Sequence, residues 1–413
     1  MRREEIEVNT EHLKLRTVLF ILAVVIAVSS FTVAITRINR KSPGYHRVEA
    51  TNGEEQKTLN DSIDFEYLFS GSGASVRVEL RELQGVYGEA LVRAAHLLDA
   101  ETRYPGVANL ATLNQCQGQD VTLSGELFAV LADAWEKTQE GRGYSMFAGP
   151  VYAEWNSILL LEDPEDFDPS VDPEEAERIA ALAAAVSEAD CARFQIVDET
   201  QHIVRFGVGA PLAELLEDLE LRCPVLDLNA LHDAYLLRLI ADELEAKGYH
   251  SGYLSAKSGV TVALSEQSDG DYRIYGLQGE DPVPAAKTPV IPGSAFCALR
   301  AFAGAEDRFW FYTVEDGETT LYRHPYFTAS GEQPQALRSA AVLDERGDVA
   351  AACYDALRLF ACADADSAAA YAGNLSRAAA WTLGEEDKTV RLNAKGADCF
   401  ENEDYGWSLQ PAE

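Results

Sequence analysis

Basic residues are scarce in this chain, and their scarcity excludes several classes of partner. The 413 residues contain 34 Lys and Arg against 68 Asp and Glu, which gives a net charge of -34. A surface with this balance repels both the phosphates of nucleic acids and anionic lipid headgroups. We therefore expect no nucleic-acid partner, and we interpret the acidic excess as a well-solvated surface rather than a cation-binding device.

Clustered cysteines are also missing. The sequence has no CxxC pair and no Cys/His cluster at zinc spacing, so a metal site built on thiolates is not expected. The seven cysteines lie far apart, at Cys116, Cys191, Cys223, Cys297, Cys353, Cys362 and Cys399. In an oxidising compartment some of them could pair, the most local option being Cys191 with Cys223, and the odd total leaves at least one thiol free.

One long uncharged run does occur, at residues 17–36, with the sequence TVLFILAVVIAVSSFTVAIT. As a helix it would extend about 30 Å, the thickness of one hydrocarbon core. Ala27-Val28-Ser29 resembles a signal-peptide cleavage site, but the apolar run continues beyond it. We predict an uncleaved transmembrane anchor at 17–36, preceded by a short N-terminal tail at 1–16. Basic residues flank both ends equally, so charge alone does not determine the orientation.

The remainder of the chain is predicted to be one folded domain with polar ends. Residues 37–65 lack periodicity and suggest a polar tether, residues 66–384 alternate strand and helix patterns, and residues 385–413 become polar again. No internal repeat or low-complexity tract is found. This alternation over one continuous region favours a single α+β or α/β domain over two domains.

Several elements of that domain are predicted from local patterns. Ser124 and Asp172 are expected to cap helices at 124–138 and from 173 onward, the latter with Pro173 at its first position. The predicted strands are 70–80, from Val76, Val78 and Leu80, the hairpin at 192–206, and a second hairpin with Asp316-Gly317 at its tip. The aromatic run 309–312 is predicted to be a buried strand. Further helices are predicted at 88–102, 348–363 and 367–382.

The segment VLDLNALHDAY, residues 225–235, is the first place to look for a site. Its apolar run predicts a strand that leads into a helix ending at Gly248, with another strand from Tyr253. Helix N-termini at strand ends collect anions, because free N–H groups and the helix dipole meet there. Asp233 lies in this turn, however, and its carboxylate would repel an anionic ligand.

The order of elements from residue 66 to about residue 380 resembles the FAD:protein FMN transferase family, also called ApbE. LNQCQGQDVTLSGEL, with Leu113-Asn114, is similar to the family's Leu-Asn segment and Ser-Xaa-Glu-Leu helix. GYSMFAGPVYAEW parallels its Asp-Pro-Thr-Val-Gly-Pro block before a Trp. VLDLNALHDAY parallels Leu-Asp-Leu-Gly-Gly-Ile-Ala-Lys-Gly-Tyr, and RHPYFTASGEQP parallels His-Ile-Ile-Asp-Pro-Xaa-Thr-Gly.

This resemblance implies an α+β, T-fold-type domain with mixed or antiparallel sheets and packed helices. It also implies a membrane-anchored, extracytoplasmic protein that binds FAD, uses Mg²⁺ and transfers FMN to a Thr of a partner, such as a redox membrane protein. The chain has no lipobox cysteine near its apolar run, so the transmembrane helix would replace a lipid anchor. The implied FAD residues are Asn114, Asp227, Tyr235 and His324, and the implied metal residue is Asp355.

The chain departs from the family at the residues that carry the chemistry. Asn229 and Ala230 replace the Gly-Gly pair, and Asp233 replaces the Lys. A carboxylate about 4 Å from a phosphate repels it by roughly 4 kcal/mol at an effective dielectric constant near 20. Lys257-Ser258-Gly259 stands where the family has Gly-Gly-Asp, and Phe327 where it has Asp. The Asp-Ala-Leu-Xaa-Thr metal motif aligns onto CYDALRLF in two ways, and both lose the Thr oxygen.

Three hypotheses follow. The first is a degenerate relative that keeps the fold and serves as a membrane-anchored binding or interaction module, to which the sequence assigns no catalytic residue. The second is an active FMN transferase with altered ligands, in which Asp227, Asp233 and Asp355 hold a cation while Asn114 and His324 contact the flavin.

The third hypothesis is a hydrolase built on His232, Asp233 and Cys353. Adjacent His232 and Asp233 are expected on different helix faces and therefore not to form a relay. A cleft filled by Met146, Phe327 or Lys257 would count against a nucleotide.

Overall fold

The protein is represented by a computed structural model that describes residues 43–50, 53–71, 74–141, 143–279, 281–303, 310–317, 319–328, 331–383, 387–395, 400–401 and 405–411. The predicted anchor at 17–36 lies outside these residues. Among the helices that are described, none combines the length and the apolar character needed to cross a membrane.

The described helices alternate with strands over most of the chain. The helices are α1 Glu54–Asn60, α2 Ala74–Leu98, α3 Leu110–Gln115, α4 Gly125–Gln139, α5 Gly149–Leu159, α6 Pro173–Ser187, α7 Ala210–Asp218, α8 His232–Ala246, α9 Val349–Phe360 and α10 Ala365–Asn374. Short 3-10 helices occur at Pro164–Phe167 and Asn229–Leu231.

The first strands of the chain are β1 Gly44–Arg47, β2 Ile63–Phe69, β3 Asp120–Thr122, β4 Ala192–Asp198, β5 Ile203–Val208, β6 Gly252–Ala256, β7 Val260–Ala263, β8 Asp271–Gln278 and β9 Asp281–Pro289. They are followed by β10 Ala295–Arg300, β11 Tyr312–Asp316, β12 Thr319–Arg323, β13 Ser339–Asp344, β14 Ala378–Thr382, β15 Thr389–Leu392, β16 Phe400–Glu401 and β17 Ser408–Pro411.

One large sheet organises these elements. Its nine strands run in the order β1-β2-β6-β7-β10-β13-β14-β15-β17. Neighbouring strands are antiparallel except for the parallel pair β15 and β17. The smaller sheets are β16-β9-β8, β3-β5-β4 and the hairpin β11-β12. The predicted α+β class with mixed sheets and packed helices is therefore confirmed.

The nine-stranded sheet has two different faces. Helices α2, α8 and α9 cover the first, as in the contact between Phe65 of β2 and Tyr87 of α2, whose ring centroids are 5.0 Å apart. The main hydrophobic core lies beneath them. The β8-β9 sheet packs on part of the second, outer face, where Tyr272 stacks on Phe296 in a smaller separate core.

The strand predicted at 70–80 is wrong, because residues from Ala74 onward begin helix α2. Val76 and Leu80 are buried, whereas Val78 between them is 59% exposed. Burial at positions i and i+4 is the helical pattern, and the apparent alternation of Val76, Val78 and Leu80 hid it. The helix predicted at 88–102 is the second half of this longer helix.

The helix predicted at 367–382 is wrong in its second half, where α10 ends at Asn374 and strand β14 follows. Ala379 and Trp381 belong to the main core, while Ala380 faces the smaller core. A strand buried on both faces shows no alternation of apolar and polar residues. Its alanines therefore resembled a continuing helix.

Both polar ends contain folded elements that the sequence pattern missed. In the predicted tether, β1 pairs with β2 and Val48 is fully buried. In the predicted C-terminal tail, β15 and β17 extend the sheet. Short edge strands with half-exposed side chains carry too little periodicity to be recognised in sequence.

Other local predictions are confirmed. Ser124 and Asp172 cap α4 and α6, and α9 starts after the capping residue Asp348. The two hairpins form as predicted. The aromatic run is wrong in its described part, since Trp310 is 37% exposed and the strand begins only at Tyr312.

Candidate functional site

The segment 225–235 does not contain the predicted strand. Residues 224–228 run without regular structure and are held by other loops. The Leu226 N–H donates to Oδ1 of Asn114 (3.0 Å), and Nδ2 of Asn114 donates to the Leu226 carbonyl (2.9 Å). The Asp227 N–H donates to the Met146 carbonyl (2.9 Å). The backbone hydrogen bonds that a strand would supply are therefore made by a side chain and by the 145–147 loop.

Asn114, predicted to bind FAD, is consequently a bridge between α3 and this segment. Its amide nitrogen also reaches the Ala100 carbonyl at 3.2 Å. With Oδ1 and Nδ2 both engaged by main chain, it would have to give up fold contacts in order to hold a ligand.

Asn229 preserves the backbone shape of the turn that follows. Its φ is 49°, in the left-handed region that glycine adopts easily and asparagine tolerates better than most residues. Its side-chain Nδ2 donates to the carbonyls of Ser145 (3.1 Å) and Asp227 (3.3 Å). The side chain thereby fills space between the turn and the 145–147 loop that a glycine would leave open.

Three main-chain N–H groups of this turn have internal acceptors. The Asn229 N–H donates to Oδ1 of Asp227 (3.3 Å), and the Leu231 N–H to the Leu228 carbonyl (3.0 Å). The His232 N–H donates to the Asn229 carbonyl. An anion arriving at the start of α8 would have to displace these contacts.

His232 and Asp233 form a hydrogen-bonded pair, which corrects the expectation that they point apart. Nδ1 of His232 lies 3.1 Å from Oδ1 of Asp233. They are the first two residues of α8, where no preceding helical turn restricts the directions of the two side chains. In this first turn the Asp233 carboxylate also complements the positive end of the helix dipole.

Two further carboxylates, those of Asp227 and Asp99, affect the ionisation of this pair. Burial works to raise the pKa of Asp233, but the hydrogen bond and charge of His232 hold it below its usual range. Burial works to lower the pKa of His232, but Asp233, Asp227 and Asp99 together raise it. Burial raises the pKa of Asp227, with His232 opposing that shift. The turn therefore presents negative charge that one histidine partly balances.

Tyr235 is fully buried and donates to Oδ2 of Asp133 at 2.9 Å. Burial, together with nearby Tyr144 and Asp133, raises its pKa. Tyr144 was not singled out in the sequence, yet its hydroxyl is buried without a hydrogen-bond partner in the described part of the chain. The sequence carried no signal for it beyond its place in the GYSMFAGP block.

His324 is buried and locked in one tautomer. Its Nδ1 accepts from the Tyr326 N–H (3.3 Å), so Nε2 carries the proton and donates to the Pro334 carbonyl (2.9 Å). Burial lowers the pKa of His324 to about 4, so the ring is neutral near pH 7. Both nitrogens support the loop between β12 and β13, and neither is available to a ligand.

Asp355, the predicted metal residue, is part of an ion-pair network. Oδ1 accepts from the Tyr371 hydroxyl (2.9 Å), and Oδ2 accepts from Nη1 of Arg377 (2.6 Å). Arg377 also pairs with Asp344. A guanidinium beside these carboxylates opposes a divalent cation, and no cluster of three potential ligands exists among the described His, Cys, Asp and Glu side chains. These residues do not fit Mg²⁺.

Cys353 does not complete the proposed hydrolase. Its thiol donates to the Ala230 carbonyl (3.5 Å), and it neighbours the buried Cys297 thiol. The hydrogen bond with Cys353 and burial raise the pKa of Cys297 well above its usual value. The Cys353 thiol is engaged with the main chain, whereas His232 pairs with Asp233, so within the described part of the chain the thiol and the histidine are not joined as a relay requires. Cys191 and Cys223 are free thiols here, and Cys399 lies outside the described residues.

A cavity of about 960 Å³ adjoins this region. A volume of this size suits a nucleotide-sized ligand. Its described lining includes Tyr144, Ser145, Phe147, Thr328, Arg358 and Tyr371. Arg358 is the cation of that lining, and its Nη1 already donates to Glu140 (3.2 Å). Met146 and Phe327 are buried in the core, while Lys257 is exposed and lines a different groove.

Sequence comparisons find no match, either to a family model or to a curated protein. Solved structures are similar in fold. The ApbE protein of Thermotoga maritima has a TM-score of 0.54 at 13% identity, covering 82% of this chain and 94% of that one. This chain has the ApbE fold.

Two further ApbE structures agree. The flavin transferase ApbE of Vibrio cholerae has a TM-score of 0.52 at 13% identity, over 83% of this chain and 94% of that one. The flavinyl transferase ApbE of Pseudomonas stutzeri, in its apo form, has a TM-score of 0.51 at 13% identity, over 84% and 92%. At this identity the ApbE likeness concerns the fold, and function has to be argued from the residues.

Proposed function

We propose that this chain is a non-catalytic protein with the ApbE fold that acts as a binding or interaction module at the outer side of a membrane. The observation that carries the proposal is the turn at 229–233. The N–H groups of Asn229, Leu231 and His232 donate to internal acceptors, and Asp233 lies at the start of α8. A site that cleaves a pyrophosphate needs open donors and positive charge for it.

The metal position supports the same proposal. Because Arg377 and Tyr371 occupy both oxygens of Asp355, the residues that would position Mg²⁺ stabilise the fold instead. We expect MgCl₂ to leave the thermal midpoint of the chain unchanged when compared with NaCl at the same ionic strength. A rise specific to Mg²⁺ would contradict this interpretation, because binding to the native state raises the midpoint.

A flavin assay tests the proposal directly. Full-length chain is mixed with FAD and Mg²⁺, separated from free ligand, and examined for yellow flavin absorbance and released AMP. We expect neither. The full-length chain is used because a shorter chain that began at residue 50 would lack strand β1 and the buried Val48.

A gain-of-binding variant sharpens the test. In the triple variant Asn229→Gly, Ala230→Gly, Asp233→Lys, the turn regains open backbone and a cation. We expect weak FAD binding to appear in this variant. The matched control is Asp242→Lys, which makes the same charge change on the exposed side of the same helix. FAD binding in the control would mean that added charge alone, rather than the turn, is responsible.

An active FMN transferase with altered ligands is the second candidate. It is favoured by the cavity of about 960 Å³, since space for a large ligand remains beside the 145–147 loop, which Asn229 of the turn contacts. Tight flavin binding and AMP release by the unmodified chain would support it and overturn the first proposal. Absence of both would remove it.

The membrane part of the proposal rests on residues 17–36. We expect the full-length chain to stay in the membrane fraction after an alkaline carbonate wash, and a variant without residues 17–36 to be released. With the domain outside, protease added to intact cells or spheroplasts should degrade it. Protection from protease until the membrane is opened would reverse the proposed orientation.

A further inference from the structure

The outer face of the nine-stranded sheet carries a groove where the β8-β9 sheet stops covering it. We call this feature the sheet-face groove and define it by Tyr253, Lys257, Arg273, Tyr275 and Arg300. Its volume is about 460 Å³. Its described lining includes residues of strands β6, β7, β8 and β10 and of the turn between β6 and β7.

Positive charge is concentrated in this groove, although the whole chain carries a net charge of -34. Across the part of the chain that the structure describes, neither Lys257 nor Arg273 forms an ion pair with a carboxylate. The acidic residue of the described lining, Asp271, is already paired with Lys287 at 3.1 Å. Some exposed arginines elsewhere do have carboxylate partners, as Arg47 does in Asp64 and Arg205 in Asp120.

Aromatic rings lie beside these cations. Tyr253 and Tyr275 are partly exposed in the groove, and Tyr272 is stacked against Phe296 behind it, with ring centroids 4.6 Å apart. The guanidinium of Arg300 lies 6.0 Å from the centroid of the Tyr275 ring. Flat apolar surface next to positive charge suits a ligand with a ring at one end and an anionic group at the other.

We propose that the sheet-face groove binds a small aromatic anion, with a phosphate group contacting Lys257, Arg273 and Arg300 and the ring lying on Tyr253 or Tyr275. Arginine and lysine make charge-assisted hydrogen bonds to phosphate, and arginine can do so through two N–H groups at once. Although the net charge of the chain repels anions, the basic residues of the groove attract such a ligand locally.

This inference is independent of the proposed function, because the groove and the turn at 229–233 lie on opposite faces of the sheet. On strand β10, Cys297 points toward Cys353 of α9, whereas Phe296 and Ala298 line the groove. The turn can therefore be inactive whether or not the groove binds a ligand. The groove can likewise bind a ligand whether or not the turn is active.

The first test measures how much the positive charge of the groove contributes to ligand binding. Phenyl phosphate is titrated into the full-length chain by isothermal titration calorimetry, and we expect saturable 1:1 binding that weakens as salt is raised. Arg273→Glu should weaken binding about tenfold, since it replaces an attraction with a repulsion at an exposed position. The control Arg81→Glu makes the same change on α2, at an exposed residue on the other side of the sheet. Equal binding by the wild type and Arg273→Glu would overturn the proposal, as would no binding to the wild type.

The second test measures the contribution of the ring. The wild type should bind phenyl phosphate more tightly than inorganic phosphate, and Tyr275→Leu should reduce that preference while keeping apolar bulk. Circular dichroism would verify that each variant is folded. If the two ligands bind the wild type equally, the aromatic part of the proposal is wrong. FAD binding and AMP release are measured separately, so failure here is distinguishable from failure of the proposed function.

Discussion

The two faces of the nine-stranded sheet use charged side chains in opposite ways. Beneath the helices, charges are matched within the protein, as where Arg377 joins Asp344 and Asp355. On the outer face, Lys257 and Arg273 line a groove, and no described carboxylate pairs with them. The comparison teaches that residues aligned with a catalytic motif can support the fold, while charge available to a ligand can lie on the opposite face of the same sheet.

The largest effect is expected at Arg377. Arg377→Ala leaves two nearly buried carboxylates, Asp344 and Asp355, without their cation. Breaking a buried pair in this way costs about 3–5 kcal/mol of unfolding free energy. Denaturant unfolding measures the change. The matched control is Arg47→Ala, whose pair with Asp64 is more than half exposed on both sides and should cost under about 1 kcal/mol. Similar losses in both variants would contradict the contrast between the faces.

His324 should make stability depend on pH. Its folded pKa is lowered to about 4, below the value near 6.5 of an unfolded histidine. The unfolded state therefore binds more protons in this window, so this contribution is complete above pH 6.5 and is lost as pH falls toward 4. The loss amounts to about 3 kcal/mol.

Urea unfolding of the wild type and His324→Gln at pH 7 and pH 4 measures this contribution. Glutamine can still donate to the Pro334 carbonyl but does not titrate in this range. The free energy of unfolding of the variant should fall less between the two pH values, by about 3 kcal/mol. Parallel pH dependence in the two proteins would mean that His324 is not buried as a neutral ring.

Gly149 should tolerate no side chain. A Cβ atom there would lie 2.2 Å from the Pro224 carbonyl oxygen, so the start of α5 and the segment before Val225 would have to separate. We expect Gly149→Ala to cost about 1–3 kcal/mol. Gly85→Ala is the control, because nothing lies within 4 Å of its Cβ position in α2, and it should be neutral or stabilise by up to about 1 kcal/mol. Thermal unfolding of both compares them.

The smallest effect on stability is expected on the outer face. Arg273→Glu removes no ion pair among the described residues and should change the free energy of unfolding by less than about 0.5 kcal/mol. A larger loss would show that Arg273 supports the fold, which would remove the contrast between the two faces. The measurement is denaturant unfolding under the conditions used for Arg377→Ala.

The helices and hairpins with local signals could be predicted from sequence, and the folded ends could not. Ser124, Asp172 and Asp348 are capping residues whose effect depends on the next few residues only. Strands β1 and β17, by contrast, depend on pairing with β2 and β15 rather than on a signal in their own residues. Such pairing leaves almost no pattern in the strand itself.

The sequence singles out residues 225–235 as a candidate site, but it does not show which partners the polar residues of that site have. Asn114 and Tyr235 have polar partners far along the chain, Leu226 and Asp133. His324 and Asp355 have nearer partners. Whether a polar residue serves a ligand or the fold is decided by those partners, which sequence spacing does not reveal. Sequence spacing does not reveal the sheet-face groove either, because Lys257, Arg273 and Arg300 come from the β6–β7 turn, β8 and β10.

Strand β1 has a consequence for how the domain would sit at a membrane. If residues 17–36 form the proposed anchor, only residues 37–43 separate it from Gly44 at the start of β1. A stretch of that length reaches about 25 Å at most. The domain would then lie close to the bilayer with its β1 edge nearest. The net charge of -34 would repel the remainder of the domain from anionic headgroups. The short connection and the charge repulsion together would orient the domain with its β1 edge toward the bilayer, in a position to contact a partner in the same membrane.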